Sequence, residues 1–322
     1  MRIAKTTQEI KLYTEVNANF FPENLLPSEL LAQKFVRDVV GNSLYDTILE
    51  HYINNTLTIP EQQLFPFIQN AMVNFTMIFF CDAGQLEISN AGLQLNLSKE
   101  RKTGFQWQIL DLKKHYKRKA FSALESLLNF LYNSLSTDYP TWHNSDNKKK
   151  YCSDFFLDAT QFSSFYNIHN DFAFFLQLKP HLVYADDDCI LPILGDAFSE
   201  DIKTKILNNN LSSNEKILLK YIQKALAYKT IAIAIPQLIS HLDEFGISEN
   251  YFSSSQTINA SEPARNEFVS LLLRDCDKKG DTYLYKLRSY LNNNAETFPL
   301  YTIKSNVNSI SQNDRQGLFS VL

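Results

Sequence analysis

The chain has 322 residues, 44% hydrophobic and 13% aromatic, with 24 Phe and 16 Tyr, enough apolar matter for two domains with real cores. Only 8 Gly and 10 Pro argue against a many-stranded sandwich with its tight turns, and a formal net charge of −4 gives no global pull toward nucleic acid. Cys81, Cys152, Cys189 and Cys276 lie far apart without a C-x-x-C pair; they read as free thiols of a reducing cytoplasm, Cys81 and Cys189 buried in apolar helical runs.

The opening MRIAKTTQEIKLY has no apolar stretch and no small-residue cleavage site, so no secretion signal is expected. Ile3 begins a short extended piece, and Thr6/Thr7 with Glu9 reads as a helix start. Leu30–Val40 is helical and ends at Gly41, a helix C-cap or tight corner. A short helix, Ser43–Tyr52, leads through the Asn54-Asn55 loop to Leu64–Phe80. There Leu64, Phe67, Ile68, Ala71, Phe75 and Ile78 recur at helical spacing, as a buried helix requires. Its most apolar run, Ala71–Cys81, is too short to span a bilayer and carries Asn74 and Thr76, so a soluble protein with no membrane partner is expected. Leu86–Ile88 and Leu93–Leu97 alternate around Asn90-Ala91-Gly92, a β-hairpin signal. Ser98 caps a long helix through about Asn133, apolar at Ile109, Leu112, Phe121, Leu124, Leu128 and Leu131. Tyr139-Pro140-Thr141-Trp142 stops it with rings that can close one end of the core. Asn144–Lys150 (NSDNKKK), polar and free of apolar residues, reads as a linker.

The second half repeats the first. LLKYIQKALAYKTIAIA at Leu218–Ala234 answers LFPFIQNAMVNFTMIFF at Leu64–Phe80, and Gly41/Gly195, Ile68/Ile222 and Gly92/Gly246 all stand 154 residues apart. Over those fifty-odd ungapped positions there are about 12 identities, where chance gives roughly 3. Ala159–Phe162 corresponds to Thr7–Ile10, Tyr184–Leu194 to Leu30–Val40, and Ala197–Leu207 to Ser43–Tyr52. The Asn208–Asn210 loop follows, then the Leu218 helix with Tyr221, Ile222, Ala225 and Ala232 at its core positions. A less certain hairpin follows at Phe245-Gly246-Ile247. A long helix runs from Glu262 to Asn292, interrupted near Gly280, and Phe298-Pro299-Leu300-Tyr301 closes the copy. The tail ends Gly317–Leu322, apolar and alternating, as a terminal strand would be. The expected architecture is mostly α, with two tandem copies of a helical domain (1–147 and 148–322), each with a small β-hairpin.

Few residues suggest chemistry. Asp186-Asp187-Asp188 reads as a solvated helix face, since three consecutive carboxylates point in three directions and cannot converge on one ion. Asp275–Asp281 resembles the first half of an EF-hand loop but fails at Lys279 and Lys286. The six histidines form no H-x-x-x-H or H-E-x-x-H pair, and no phosphate loop, G-x-S-x-G or G-x-G-x-x-G occurs, so neither catalytic residues nor a metal or cofactor is expected. An active site, if the fold has one, should break the pseudo-symmetry with convergent polar groups in one half only. The one dense basic run, Lys113–Lys119, wraps around its helix and reads first as a solvated face. It is also the best local candidate for touching phosphate or an acidic partner.

TTQEIKLY at the start, VVGNSLYD at Val39–Asp46, YPTW, and SNAGLQLNLSKER at Ser89–Arg101, together with FFLDATQFSSFYNIHNDFAFFLQLKP and ILPILGDAF, form an ordered set. The set resembles an uncharacterised (domain-of-unknown-function) family encoded in phages and prophages of Bacteroidetes, over essentially the whole chain. The resemblance implies a non-enzymatic virion role such as a head–tail connector or adaptor, and supplies no catalytic residues. The expected partners are further copies of the chain in a homo-oligomeric ring and other virion proteins such as portal or tail components; nucleic-acid contact is left open but not indicated. The expected location is the host cytoplasm during assembly, then the virion. Candidate contact residues are Lys113, Lys114, Lys117 and Arg118 with Leu318, Phe319 and Val321 of the tail. The alternative is a cytoplasmic protein–protein interaction module.

Overall fold

A computed structural model describes residues 3–17, 20–83, 86–89, 92–95, 105–152, 154–243, 246–249 and 266–303. The chain forms two compact units, Met1–Gln177 and Leu178–Leu322.

The first unit opens with α1 (Thr7–Lys11). The Thr6 hydroxyl accepts from Glu9 N–H and the Glu9 carboxylate accepts from Thr6 N–H, completing the capping box legible in the sequence. Glu29 accepts from Ile3 N–H at 3.0 Å and the Gln69 amide donates to Ile3 C=O at 2.9 Å, so the extended start is tied down on both sides. After a 3-10 turn (Pro22–Leu25), α2 (Leu26–Val40) buries Ala32, Val36, Val39 and Val40 at helical spacing. Gly41, at φ 85°, ends α2 and begins α3 (Asn42–Asn54), a backbone turn that a Cβ would strain. Asn55 in the left-handed region then turns the chain into α4 (Ile59–Ala83).

Helix α4 is the centre of the unit and packs on α2 and on α5 (Gln106–Asn133), with Leu64, Ile68 and Ala71 fully buried. The continuous helix exceeds the short apolar run expected: by length and composition Ile59–Cys81 could cross a membrane, and 67% of its apolar window is buried inside the protein, as in a core helix. Two of its polar side chains donate back along the helix, Asn74 to Asn70 C=O and Thr76 to Met72 C=O. Between α4 and α5, β1 (Leu86–Ser89) and β2 (Gly92–Leu95) pair antiparallel with Leu86 opposite Leu95. Ser98, expected to cap the long helix, lies outside the described residues; α5 starts at Gln106, whose preceding Phe105 N–H is bound by the Gln108 side chain.

In α6 (Pro140–His143) the fully buried Trp142 donates its indole N–H to Val39 C=O at 2.9 Å. Asn144–Lys150 is not a linker: most of it lies in α7 (Asp146–Cys152), held to α2 by Lys150 and Tyr151, which both bind the Asp38 carboxylate. Its polarity misled because the lysines have partners, and Lys148 is buried. The expected repeat boundary at 147/148 therefore lies within a packed helix. The first unit continues through α8 (Ala159–Ser163), capped by Asp158, into the start of α9 (Phe172–Ala185). Phe155, Phe156, Phe162, Phe172 and Phe175 are buried there, and the last four are linked ring to ring, Phe156 and Phe162 centroids being 5.0 Å apart.

In the second unit α9 passes through a π turn (Asp186–Ile190) into α10 (Leu191–Leu194), Gly195 at φ 82° and α11 (Asp196–Leu207). The Asp186–Asp188 run is thus not a plain solvated face. The extra residue of the π turn buries Asp186 against Lys203 at 2.5 Å, while Asp187 and Asp188 remain exposed. Asn209, at φ 51°, precedes α12 (Ser213–Ile239), which packs along α13 (Asn266–Asn293), with β3 (Ser240–Asp243) and β4 (Gly246–Glu249) paired between them. Gly280 does not interrupt α13; the helix is continuous through it.

The duplication holds in detail. Gly41 and Gly195 share one conformation, as do Asn55 and Asn209, and Ile68 and Ile222 are both 0% exposed. Phe67 stacks on Phe130 at 4.7 Å in the first unit, and Tyr221 on Tyr290 at 4.7 Å in the second. Tyr139 then abuts Phe130, and Phe298 abuts Tyr290. The offset grows from 154 residues in α4/α12 to 160 in α5/α13, which pairs the fully buried Leu127 and Leu131 with Leu287 and Leu291.

Candidate functional site

A polar constellation around Lys229 breaks the pseudo-symmetry. In the first unit Phe35 stacks on Phe75 at 4.6 Å, and Phe121 meets Phe75 edge-on at 5.2 Å. At the offsets just given, the corresponding residues of the second unit are Cys189, Lys229 and Asp281. Lys229, 10% exposed, donates to Asp277 at 2.5 Å and Asp281 at 2.6 Å. Its stem lies over Gly280, where an added Cβ would be 2.8 Å from Lys229 Cγ and Cδ, so the glycine makes room for the lysine. The Asp275–Asp281 stretch is helix, not a calcium loop, and its acids serve lysines: Asp277 and Asp281 bind Lys229, and Asp275 binds Lys279.

The chemistry of this cluster is quiet. Burial alone would lower the Lys229 pKa, but hydrogen bonds and charge from Asp277 and Asp281 outweigh it and hold the amine above its ordinary value. An ammonium so held is neither base nor nucleophile at neutral pH. Burial pushes the Cys189 thiol up; Lys229 draws it back, Asp188, Asp281 and Asp277 add to the rise, and the result is a thiol less ionised than usual. The cluster replaces aromatic packing with a half-exposed ion network.

A second feature is the basic run on α5. Lys114, Lys117 and Arg118 line one cleft of about 290 Å³ with Asp171, Ala173, Phe174 and Gln177. The run does wrap around its helix, with Lys113 and Lys119 half-buried off this cleft and Tyr116 pointing inward, but three of its cations, at i, i+3 and i+4, share one face. Asp171 caps the facing α9, its carboxylate accepting from Phe174 N–H at 3.1 Å. Leu318, Phe319 and Val321 lie outside the described residues.

Sequence reading missed Glu125. Further along α5, this buried carboxylate accepts from Ala159 N–H at 2.9 Å, at the start of α8. Burial, with Asp158 and Asp171 adding to it, pushes its pKa up to about 7 despite that hydrogen bond. No local pattern signals it, because its partners lie 34 residues on. Among the described residues, no group of His, Cys, Asp and Glu is arranged to hold a metal ion.

The fold and these sites define a duplicated, mostly helical protein whose two copies share core positions and differ at polar clusters such as that of Lys229. A family model described as a family of unknown function (DUF6712) matches residues 36–152 and again 190–310, and the chain belongs to that family. The two matches begin 154 residues apart, the spacing of the repeat. No curated protein and no solved structure matches the chain.

Proposed function

We propose that the protein is a non-enzymatic virion assembly component of the phage head–tail connector or adaptor type, working by binding its own copies and neighbouring virion proteins. The observation that carries this reading is an exposed apolar strip at the start of α2. Leu26 and Leu30, one turn apart, are 40% and 59% exposed, and Leu31 and the nearby Phe21 are 59% and 69% exposed. Large apolar side chains grouped at a surface mark a contact site more often than solvent exposure for its own sake. The pseudo-symmetry supports the same reading, because a duplicated unit can offer related faces to successive copies around a ring. The Lys229 cluster, which breaks the symmetry, holds its lysine and thiol in unreactive protonation states. In this reading the chain acts in the host cytoplasm during assembly and thereafter in the particle. Electron microscopy of the purified chain tests it: closed rings of uniform size are expected, and a field of dispersed single chains at high concentration would contradict it.

A further inference from the structure

We propose that the face of α5 running from Trp107 to Arg118 binds single-stranded nucleic acid, an activity that goes beyond the assembly role and does not depend on it. Trp107, Lys114 and Arg118 stand at i, i+7 and i+11, so they share one helix face, with Trp107 roughly 10 Å along the axis from Lys114. Lys117 borders the same cleft as Lys114 and Arg118. All three cations are exposed, and none makes a side-chain hydrogen bond or ion pair with another described residue. Like charges at i, i+3 and i+4 repel one another, a cost that an anionic occupant would relieve. Across the cleft the positive end of the α9 dipole favours the same sign of ligand. Asp171 is the one carboxylate among the described lining residues, which leaves the cleft net cationic.

Phosphates fit this face better than the carboxylates of a peptide because of what flanks the cations. Trp107, 61% exposed, offers a ring face on which an unpaired base stacks while the backbone follows the positive charges. A duplex keeps its bases stacked inside and could use only the charges. The overall charge of −4 does not oppose this, since screening confines the interaction to about a Debye length around the cleft.

The chain's other tryptophan, Trp142, is fully buried and out of a ligand's reach, so a change in tryptophan emission on binding is assigned to Trp107. The full chain is titrated with a short single-stranded oligonucleotide, following both Trp quenching and the oligonucleotide's anisotropy. Quenching is expected, with log K falling against log salt at a slope of about −2 for three phosphates. The K114Q/K117Q/R118Q variant, with unchanged melting, should bind at least tenfold more weakly with a slope near zero. Single K114Q and R118Q variants, each losing about a third of the slope, keep the test readable should the triple variant melt early. W107F should keep the slope and lose both the quenching and part of the affinity. No binding at low salt, or equal binding by the triple variant, would overturn the proposal. So would equally tight binding of duplex, or of poly-glutamate, the latter assigning the cleft to an acidic protein.

Discussion

Lys229 stands in the second unit where Phe75 stands in the first, and each sits among three helices of its own unit. Phe75 meets rings from α2 and α5; Lys229 meets two carboxylates of α13 and lies within electrostatic reach of Cys189. One site in a duplicated core is thus filled by stacked aromatics in one copy and by an ion network in the other.

Gly280 and Lys229 should be energetically coupled, with a change of sign. Gly280→Ala in the native chain forces a Cβ against a lysine stem whose amine is pinned, and should destabilise by about 1 kcal/mol despite alanine's better helix propensity. In a Lys229→Ala background the obstacle is gone, and the same change should stabilise by about 0.5–1 kcal/mol. Denaturant melts of the four proteins complete the cycle; additivity would show that the stem does not depend on the glycine.

The sequence exposed the duplication because its signals are local. Glycines at positive φ, asparagine turns and apolar helix faces recur at a fixed spacing whatever the tertiary partners are. It misplaced what depends on partners. Gly280 looked like a break because its reason, the Lys229 stem, arrives from 51 residues away. Asn144–Lys150 looked like a linker because Asp38, which anchors α7, is over a hundred residues earlier. The basic run looked dispersed because only the approach of α9 makes three of its charges into one cleft wall. The six-residue growth in offset between Gly246 and α13 was hidden because little identity remains there to align.

Glu125 should make stability fall through neutral pH. Its folded pKa of about 7 lies above the unfolded carboxylate value, so its favourable contribution is complete below about pH 4.5 and is lost as pH rises through 7. Glu125→Gln keeps an acceptor for Ala159 N–H and removes the charge. It should match the native protein near pH 4 and be the more stable of the two at pH 8, by about 2 kcal/mol once solvent screening has reduced the roughly 3 kcal/mol of the full shift. Thermal melts at the two pH values check this, and a gap independent of pH would refute it.

Glu61 and Glu215 should act in the opposite sense. Each accepts from the N–H of the residue three positions earlier, Thr58 or Ser212, at 2.8 Å, and each meets a basic side chain 154 residues from its counterpart, His51 at 2.8 Å or Lys205 at 2.6 Å. Burial would raise both pKa values, but the cap N–H groups and these partners outweigh it and lower them. Their contribution is therefore present above about pH 4.5 and is lost as pH falls through the lowered folded values. Replacing both by Gln should flatten the acid limb of the stability curve. An acid limb of unchanged steepness would place its origin elsewhere.

Ile68→Ala and Ile222→Ala should each cost roughly 2–5 kcal/mol, because both side chains are fully buried at equivalent places. Chemical denaturation measures it, and a negligible loss at both would deny that the helices bury these faces.

The proposed role in assembly is tested most directly by the mass of the chain in solution, measured by sedimentation alongside a Leu26→Ser/Leu30→Ser variant. The native protein should sediment as a discrete multiple of 37.2 kDa, and the variant as a single chain with unchanged melting. A native chain that stays at 37.2 kDa at every concentration, alone and indistinguishable from the variant, would contradict it.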